Sequence, residues 1–356
     1  MSAVGPFESR PRVAVAVSGG ADSLALLLLV HRWASARGGS ALGLSVDHRL
    51  RVESRGEMRQ VHRWLEAKGL AHHALVWRHQ GLLRGAVQAM AREERYRLLT
   101  CWCRGRGILH LALAHHAGDQ AETVMMRLAR GSGVEGLAGM SAILARDGVR
   151  LIRPLLLVDP DRLRATLRAV GQPWIEDPSN SNLSFERVRW RRFIPPEQRV
   201  PMARAAGEIG RERAQRERLV AEILASASIE AGGQLTLPLQ PLLTAAPELG
   251  LAALLRCLIA VGGRLHPARR ESLERLLANL AAGGPARTLG GCRMVRRGDR
   301  LAVMPEPTPQ LGAAPPAGSN SQCGRAKRHS AAPSGANRSP LMPGSFTVAN
   351  LDVNIM

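Results

Sequence analysis

Short apolar runs alternate with helical segments along roughly the first 150 residues of the chain. The runs typical of buried strands cover residues 13–17, 42–46, 74–77 and 108–114. Helical periodicity covers the segments between them, including 24–29, 53–68, 85–103 and 119–130. This alternation predicts an α/β fold with a doubly wound parallel sheet. Ligands of such sheets bind at the carboxyl ends of the strands, so we expect a site there.

The pattern changes after residue 150, and the elements become mainly helical. An extended segment, 150–156, precedes a short helix, 160–170, and a basic helical segment, 182–193. Further helices are predicted at 201–227, 243–260 and 267–282, with a small hairpin over 289–304. We therefore predict a first domain over 1–200, a smaller and mainly helical domain over 201–305, and a disordered tail over 306–356.

The junction of the first strand and the first helix is rich in small residues: Ser18, Gly19, Gly20, Ala21, Asp22 and Ser23. Such a loop lets a ligand approach closely, and the helix N-terminus offers free amides, so the junction favours phosphate or pyrophosphate. It is neither a P-loop nor a dinucleotide fingerprint. An ordinary strand-to-helix turn is the alternative, although Asp22 beside an anion then calls for a shared metal ion.

Titratable residues follow two other strands. His115, Asp119 and Glu122 follow the fourth strand, and the two carboxylates share a helix face. The alternative is structural, with Asp119 as helix cap and Glu122 as its capping-box partner. Asp47 and His48 end the second strand. Because Ser18, Asp47 and His115 all end parallel strands, we expect one shared site.

The net charge of +20 comes almost entirely from arginine, because only two of the 49 basic residues are lysine. Such a charge favours a polyanionic partner, nucleic acid first. Aromatic residues make up only 3%, which argues against a surface that stacks many bases. The five cysteines lack metal or disulfide spacing. Without a membrane span or signal-peptide core, we expect a cytoplasmic protein with no membrane partner.

Eight segments together resemble one family, the tRNA(Ile)-lysidine synthetases of the PP-loop ATP pyrophosphatases. They cover residues 18–23, 46–51, 91–96, 114–123, 127–133, 136–140, 153–156 and 176–180. The resemblance implies an adenine nucleotide alpha hydrolase-like fold. The chain departs from the family pattern at Gly118, where many members carry a second aspartate.

The resemblance implies a two-step reaction on cytidine 34 of tRNA(Ile) with a CAU anticodon. ATP adenylates the C2 oxygen and releases pyrophosphate, and L-lysine then displaces AMP to give lysidine. It implies ATP and Mg²⁺ as cofactors, with Asp22 at the metal. The loop 18–23 binds the phosphates, and Asp47 and His48 lie near the nucleoside, unless His48 is a structural histidine.

The remaining residues receive roles from the same resemblance. Arg92 or Arg95 balances the α-phosphate, unless these two form only a helix surface. His115, Asp119 and Glu122 bind lysine and accept its proton. A basic cluster suits tRNA phosphates, unless it is a solvated face; its members are Arg187, Arg189, Arg191 and Arg192. The alternatives are cytidine thiolation, which needs a different cysteine arrangement, and a non-catalytic RNA-binding protein on the same fold.

Overall fold

The computed structural model describes residues 1–49, 54–78, 87–176, 182–230, 232–263 and 268–306. The chain divides into two compact units, 1–213 and 214–356. The expected boundary near residue 200 falls within a continuous helix, α7, Pro196–Leu224, and so does the division at residue 213. Pro201, which suggested a helix start, lies inside α7. The predicted tail lies outside the described residues from position 307 onward.

The first unit contains a six-stranded sheet. In chain order its strands are β1, Arg12–Ala16; β2, Ser40–Asp47; β3, His72–Val76; β4, His110–Ala112; β5, Ile143–Arg146; and β6, Val149–Ile152. The spatial order is β3-β2-β1-β4-β6-β5. The neighbouring pairs β3–β2, β2–β1, β1–β4 and β4–β6 are parallel, as predicted. The edge strand β5 pairs with β6 in the antiparallel direction. Asp147-Gly148, with positive φ at both residues, makes the tight turn of this added hairpin.

Helices cover both faces of this sheet. They are α1, Ala21–Ser35; α2, Ser54–Glu66; α3, Val87–Gly105; α4, Ala117–Ala129; α5, Pro160–Ala169; and α6, Glu186–Phe193. The apolar residues of α1, α2 and α5 form one core cluster with alternate residues of β1. Those of α3 form the other cluster with the intervening β1 residues, Ala14 and Ala16. Burial on both faces explains why these strands read as continuous apolar runs.

The second unit contains α8, Leu239–Thr244, α9, Pro247–Gly262, and α10, Arg270–Ala281. It also contains a five-stranded antiparallel sheet, so it has more strand than the mainly helical prediction. The strands are β7, Ser228–Ile229; β8, Leu235–Pro238; β9, Arg287–Leu289; β10, Cys292–Arg297; and β11, Arg300–Pro305. The predicted hairpin corresponds to β10 and β11, whereas β7 and β9 are too short to give a two-residue period. None of the described helices has the length and continuous hydrophobicity that a bilayer crossing needs.

Candidate active site

The loop between β1 and α1 is shaped by Gly19. Its φ is +90°, and a Cβ there would lie 2.8 Å from Val61 Cγ2, so neither the backbone nor the packing tolerates a side chain. The Ile175 amide donates to Gly19 O at 2.9 Å. These contacts hold the loop against α2 and against the segment after α5.

Two serines stabilise the loop through hydrogen bonds within it. Ser23 Oγ donates to Gly20 O at 2.9 Å and accepts from the Ser18 amide at 3.1 Å. Gly20 is the N-cap of α1 and provides no side-chain hydrogen bond to the helix. The first amides of α1 are therefore left without a side-chain cap, which suits binding of an anion.

A cleft of about 260 Å³ opens beside this loop. It brings together five of the six predicted loop residues, all except Gly19, with Arg92, Arg95 and His115. Tyr96, Trp174 and Glu176 complete much of the wall. The structure therefore joins the phosphate loop and the two predicted arginines, and Arg92 also donates to the Tyr96 hydroxyl at 3.3 Å.

The N-terminus of α4 is capped by His116, which the sequence interpretation did not select. His116 Nδ1 accepts from the amides of Gly118, at 3.1 Å, and Asp119, at 3.4 Å. The Asp119 carboxylate accepts from the His116 amide at 3.0 Å. The capping box therefore pairs His116 with Asp119, and the alternative pairing of Asp119 with Glu122 is wrong.

His116 connects the phosphate loop to α4. Its Nε2 lies 3.5 Å from both Asp22 Oδ2 and Asp119 Oδ2. Burial opposes a charged ring, but the bond to Asp22 and the field of Asp119 outweigh it and raise the pKa of His116. Burial also opposes ionisation of Asp119, yet the His116 ring and the hydrogen bond from the His116 amide lower its pKa. Since Nδ1 accepts two amide hydrogens, the ring proton lies on Nε2, between the two carboxylates.

His115 is held by Arg153, a buried residue that the sequence interpretation also missed. Arg153 Nε donates to His115 Nδ1 at 3.2 Å, and its Nη1 donates to Ser141 O at 2.7 Å. Burial, assisted by the charges of Arg153, Arg92 and Arg187, lowers the pKa of His115 to about 3. His115 is therefore neutral, with its proton on Nε2, and lines the cleft as a hydrogen-bond donor.

Glu122 is almost fully buried, with only 1% of its surface exposed. Its Oε1 accepts from Arg191 Nε at 2.7 Å, while its Oε2 has no hydrogen-bond partner among the residues that the structure describes. Burial raises the pKa of Glu122, although the bond from Arg191 opposes that shift. An unpartnered buried oxygen is costly, and neither Glu122 nor Asp119 is among the residues that line the described cleft.

The predicted arginine cluster divides between two faces of α6. Arg191 bonds to Glu122, and Arg187 Nη2 contacts Thr123 Oγ1 at 3.4 Å, so both face α4. Arg189 and Arg192 are exposed. The helical period explains the division, because positions four apart share a face.

Asp47 and His48 do not line the described cleft. Asp47 Oδ1 accepts from the Arg49 amide and the Ser54 hydroxyl, both at 2.9 Å, and so shapes the entry to α2. Burial and the charge of Arg95 lower the pKa of His48, whose ring packs on Trp77. Positions 50, 51 and 177–180 of the matching segments lie outside the described residues.

The segment 127–140 includes two of the stretches that resemble the family. It runs from the end of α4 through a 3₁₀ helix, Val134–Ala138, and side chains hold it in place. The Gln120 side chain exchanges hydrogen bonds with the backbone of Met140. Arg127 Nη1 donates to the carbonyls of Gly136 and Gly139. Ser141 follows this segment directly, and its carbonyl accepts a hydrogen bond from Arg153. The segment therefore helps to position Arg153, which in turn holds His115 in the cleft.

The chain is similar to known proteins both in its first domain and over most of its length. The PP-loop domain family matches residues 2–198. A tRNA(Ile)-lysidine synthase from Hyphomonas neptunium is 39% identical over 306 residues, 83% of this chain and 81% of that protein. One from Rhodopseudomonas palustris is 38% identical over 327 residues, 85% of this chain and 92% of that protein. A solved U34-tRNA thiolase from Methanococcus maripaludis is 17% identical, with a TM-score of 0.49 over 60% of this chain and 75% of its own.

Proposed function

The chain belongs to the tRNA(Ile)-lysidine synthase family, and we propose how its residues divide that reaction. It is a ligase that uses ATP to form lysidine in tRNA(Ile). We assign the modified base to cytidine 34 of a CAU anticodon and the amine to L-lysine. The observation that supports this most is the single cleft joining an uncapped helix N-terminus, two arginines and His115. Neither cytidine thiolation nor a non-catalytic role is favoured.

In the first step, the cytosine C2 oxygen attacks the α-phosphorus of ATP, and the bond to pyrophosphate breaks. The amides at the start of α1 bind the pyrophosphate as its charge develops, while Ser18 and Ser23 keep the loop in shape. Arg92 and Arg95, which line the same cleft, balance the α-phosphate charge. The Nε2–H of His115 donates a hydrogen bond there.

Asp22 is the residue that we expect to hold Mg²⁺. Its Oδ1 is buried without a hydrogen-bond partner among the described residues, and carboxylate oxygen is a ligand that Mg²⁺ prefers. When bound, Mg²⁺ supplies positive charge to the phosphates. The Nε2–H of His116 bonds to the other Asp22 oxygen and so orients the carboxylate.

In the second step, the amine of lysine loses a proton, attacks C2 and displaces AMP. Asp119 and Glu122 are the candidates to bind the ammonium group and accept that proton. Glu122 fits the second task better, because its pKa is raised and its Oε2 has no partner in the described part of the chain. His115 fits it poorly, because Arg153 occupies its lone pair.

For the tRNA we propose phosphate contacts by Arg187, Arg189 and Arg192, of which Arg189 and Arg192 are exposed. Arg191 belongs to this cluster in sequence, but its bond to Glu122 gives it a role in the site itself. Asp47 and His48 remain candidates for the nucleoside end of ATP.

The two steps can be tested separately in the full-length protein. Pyrophosphate release from ATP should require tRNA(Ile), and AMP release should require lysine in addition. Asp22→Asn should abolish pyrophosphate release while tRNA binding persists. Asp159→Asn is the matched control, because asparagine can replace the aspartate that caps α5. Normal pyrophosphate release by Asp22→Asn contradicts the assignment of Asp22.

A further inference from the structure

Helix α6 carries an aromatic pair at its surface, in a chain that is poor in aromatic residues. The rings of Trp190 and Phe193 lie 6.2 Å apart between centroids, at an interplanar angle of 58°. Phe193 is 79% exposed, more than any other large hydrophobic side chain in the described ranges. The chain has only four phenylalanines, six tryptophans and one tyrosine, so this pair on one short helix is unusual for it.

Packing of the core does not account for Phe193, and Trp190 beside it is half-buried. The face of α6 that contacts α4 is formed by Arg187, Val188 and Arg191, and Val188 is its buried apolar residue. At 100° per residue, Trp190 and Phe193 share a different face of the helix. Adjacent exposed apolar side chains mark interaction sites more often than single ones do.

The surroundings of the pair are basic. Arg189 and Arg192 flank it and are exposed, and Arg189 is held by the carbonyls of Leu183 and Ser184. An aromatic face bordered by guanidinium groups has the chemistry of a single-stranded nucleic-acid surface, in which a base stacks and its phosphates pair with arginine.

The pair shares its helix with a residue that contacts Glu122, a candidate for the second step. Arg191, which lies between Trp190 and Phe193 in sequence, reaches the buried carboxylate of Glu122 at 2.7 Å. With a rise of about 1.5 Å per residue, Phe193 is only about 3 Å further along the helix axis than Arg191. An RNA whose reacting base meets lysine beside Glu122 would therefore pass α6.

We propose that Trp190 and Phe193 form a stacking surface for one unpaired base of the RNA substrate, adjacent to the cytidine that reacts. This inference rests on the proposed function, because it takes the RNA substrate from it. The partner of this surface is RNA. Binding of a protein to the same face instead would overturn the proposal.

The test measures binding of tRNA(Ile) to the full-length wild type, Phe193→Ala, Phe193→Tyr and a control. Leu109→Ala is the control, since Leu109 is also exposed but lies just before β4, at the amino end of that strand. Loss of one base–aromatic stack should raise the Kd of Phe193→Ala about 5- to 150-fold. Phe193→Tyr should restore binding, and Leu109→Ala should leave it unchanged.

Salt dependence separates stacking from charge. Phe193→Ala should keep the wild-type slope of log K against log salt, whereas Arg192→Ala should reduce it by about 0.7–0.9. Stacking should also quench indole fluorescence on tRNA addition, and Trp190→Phe should remove that part of the quenching.

A Kd for Phe193→Ala within twofold of the wild type overturns the stacking surface, provided that the wild type binds tRNA(Ile). A change in oligomeric state with unchanged tRNA binding also overturns it, in favour of a protein interface. If the wild type itself shows neither tRNA binding nor tRNA-dependent pyrophosphate release, the proposed function fails first.

Discussion

Two buried carboxylate oxygens, Asp22 Oδ1 and Glu122 Oε2, have no partner within the described residues. A buried polar atom without a hydrogen bond costs about 1–3 kcal/mol, so folding alone does not explain either one. Each lies on a side chain whose other oxygen is oriented by a neighbour, His116 for Asp22 and Arg191 for Glu122. The arrangement presents one acceptor of each carboxylate in a fixed direction, as a ligand site requires.

We predict that Glu122→Gln weakens the use of lysine more than the use of ATP. Loss of a buried charged partner for an ammonium group costs roughly 2–4 kcal/mol, or about 30- to 700-fold in the KM for lysine. Lysine-dependent AMP release at varied lysine measures this effect, and pyrophosphate release without lysine should change little.

Glu186→Gln is the control for that prediction, because Glu186 also bonds to an arginine, Arg130, but is partly exposed. Such a surface pair contributes little, so its loss should leave both steps intact. Equal lysine KM values in wild type and Glu122→Gln would show that Glu122 has only a structural role.

Residues that line the cleft could be predicted from the sequence where they are contiguous along the chain. Ser18 to Ser23 form a contiguous small-residue loop, and the sequence order alone indicates its ligand type. His116 and Arg153 were missed because their roles depend on contacts across the sheet, to Asp22 and His115. A histidine directly before a helix was the available signal for His116, but serine, threonine, aspartate and asparagine dominate expectations for caps.

At the scale of elements, α4 depends on a glycine next to its cap. A Cβ on Gly118 would lie 2.9 Å from His116 Cε1 and 3.1 Å from its Nδ1. The His116 ring is buried, with 7% exposed, and has little room to move. The absence of a side chain at Gly118 therefore leaves room for the way that His116 caps α4.

We predict that Gly118→Ala displaces the His116 ring and costs about 1 kcal/mol of unfolding free energy, the typical value of a lost helix cap. Pyrophosphate release should also slow, because Asp22 loses the bond that orients it. Gly207→Ala is the control: it lies inside α7 with nothing within 4 Å of an added Cβ, and should gain about 0.5–1 kcal/mol. Urea unfolding of both variants measures the two changes in unfolding free energy. An increase in this free energy for Gly118→Ala would contradict the prediction.

Strands β2 and β3 and helix α2 meet at a pair of histidines. Ser45 Oγ donates to Val17 O at 2.7 Å, so it accepts from His72 Nε2 at 2.8 Å. The Nδ1 atoms of His72 and His62 are 3.3 Å apart, so one of them carries a hydrogen and the other a lone pair. Burial, followed by the charges of His62 and His73, lowers the pKa of His72 to about 4.

This pair predicts loss of stability in acid. The pKa of His72 falls from 6.5 in the unfolded chain to about 4 in the folded one, so the unfolded state takes up the proton first. The stability is fully present above pH 6.5 and is lost as the pH falls from 6.5 to 4. The loss attributable to His72 is about 3 kcal/mol at pH 4.

His72→Gln should remove this part of the acid loss, since glutamine can still donate to Ser45 but does not titrate. Urea unfolding at pH 7 and pH 4 gives the measurement. The wild type should lose about 3 kcal/mol more than the variant between the two pH values. Parallel losses in both proteins would show that other groups control the acid limit.

Several elements of the first unit lie close to where the sequence predicted them. The parallel strands β1, β2 and β3 and the helices α2 and α3 lie within a few residues of their predicted bounds. The edge strand β5 was not predicted, because four residues give no clear alternation, although Asp147-Gly148 was a usable hairpin signal. The short strands β7, β8 and β9 were missed for the same reason, since tertiary pairing rather than local pattern defines them.

At the scale of the whole molecule, charge is distributed well beyond the active site. The net charge of +20 comes from arginines along the full chain, and four of the basic residues follow position 306: Arg325, Lys327, Arg328 and Arg338. A field of this sign attracts tRNA over distances of about 10 Å at 0.1 M salt. Affinity for tRNA should therefore exceed what the contacts at the cleft alone provide, and should fall steeply with salt.

We predict that residues 307–356 are dispensable for folding and for chemistry. They lie outside the described residues, and the expectation comes from composition: Pro, Gly, Ser and Ala dominate 307–344, and large apolar residues are few. Such a segment buries too little surface to offset about 1–2 kcal/mol of backbone entropy per ordered residue. A protein ending at Glu306 should keep the wild-type melting temperature and turnover number. Its Kd for tRNA should rise modestly at low salt and converge with the wild-type value at high salt, because only screened charge is lost. Loss of cooperative unfolding in the shortened protein would show instead that the removed residues pack on the body of the molecule.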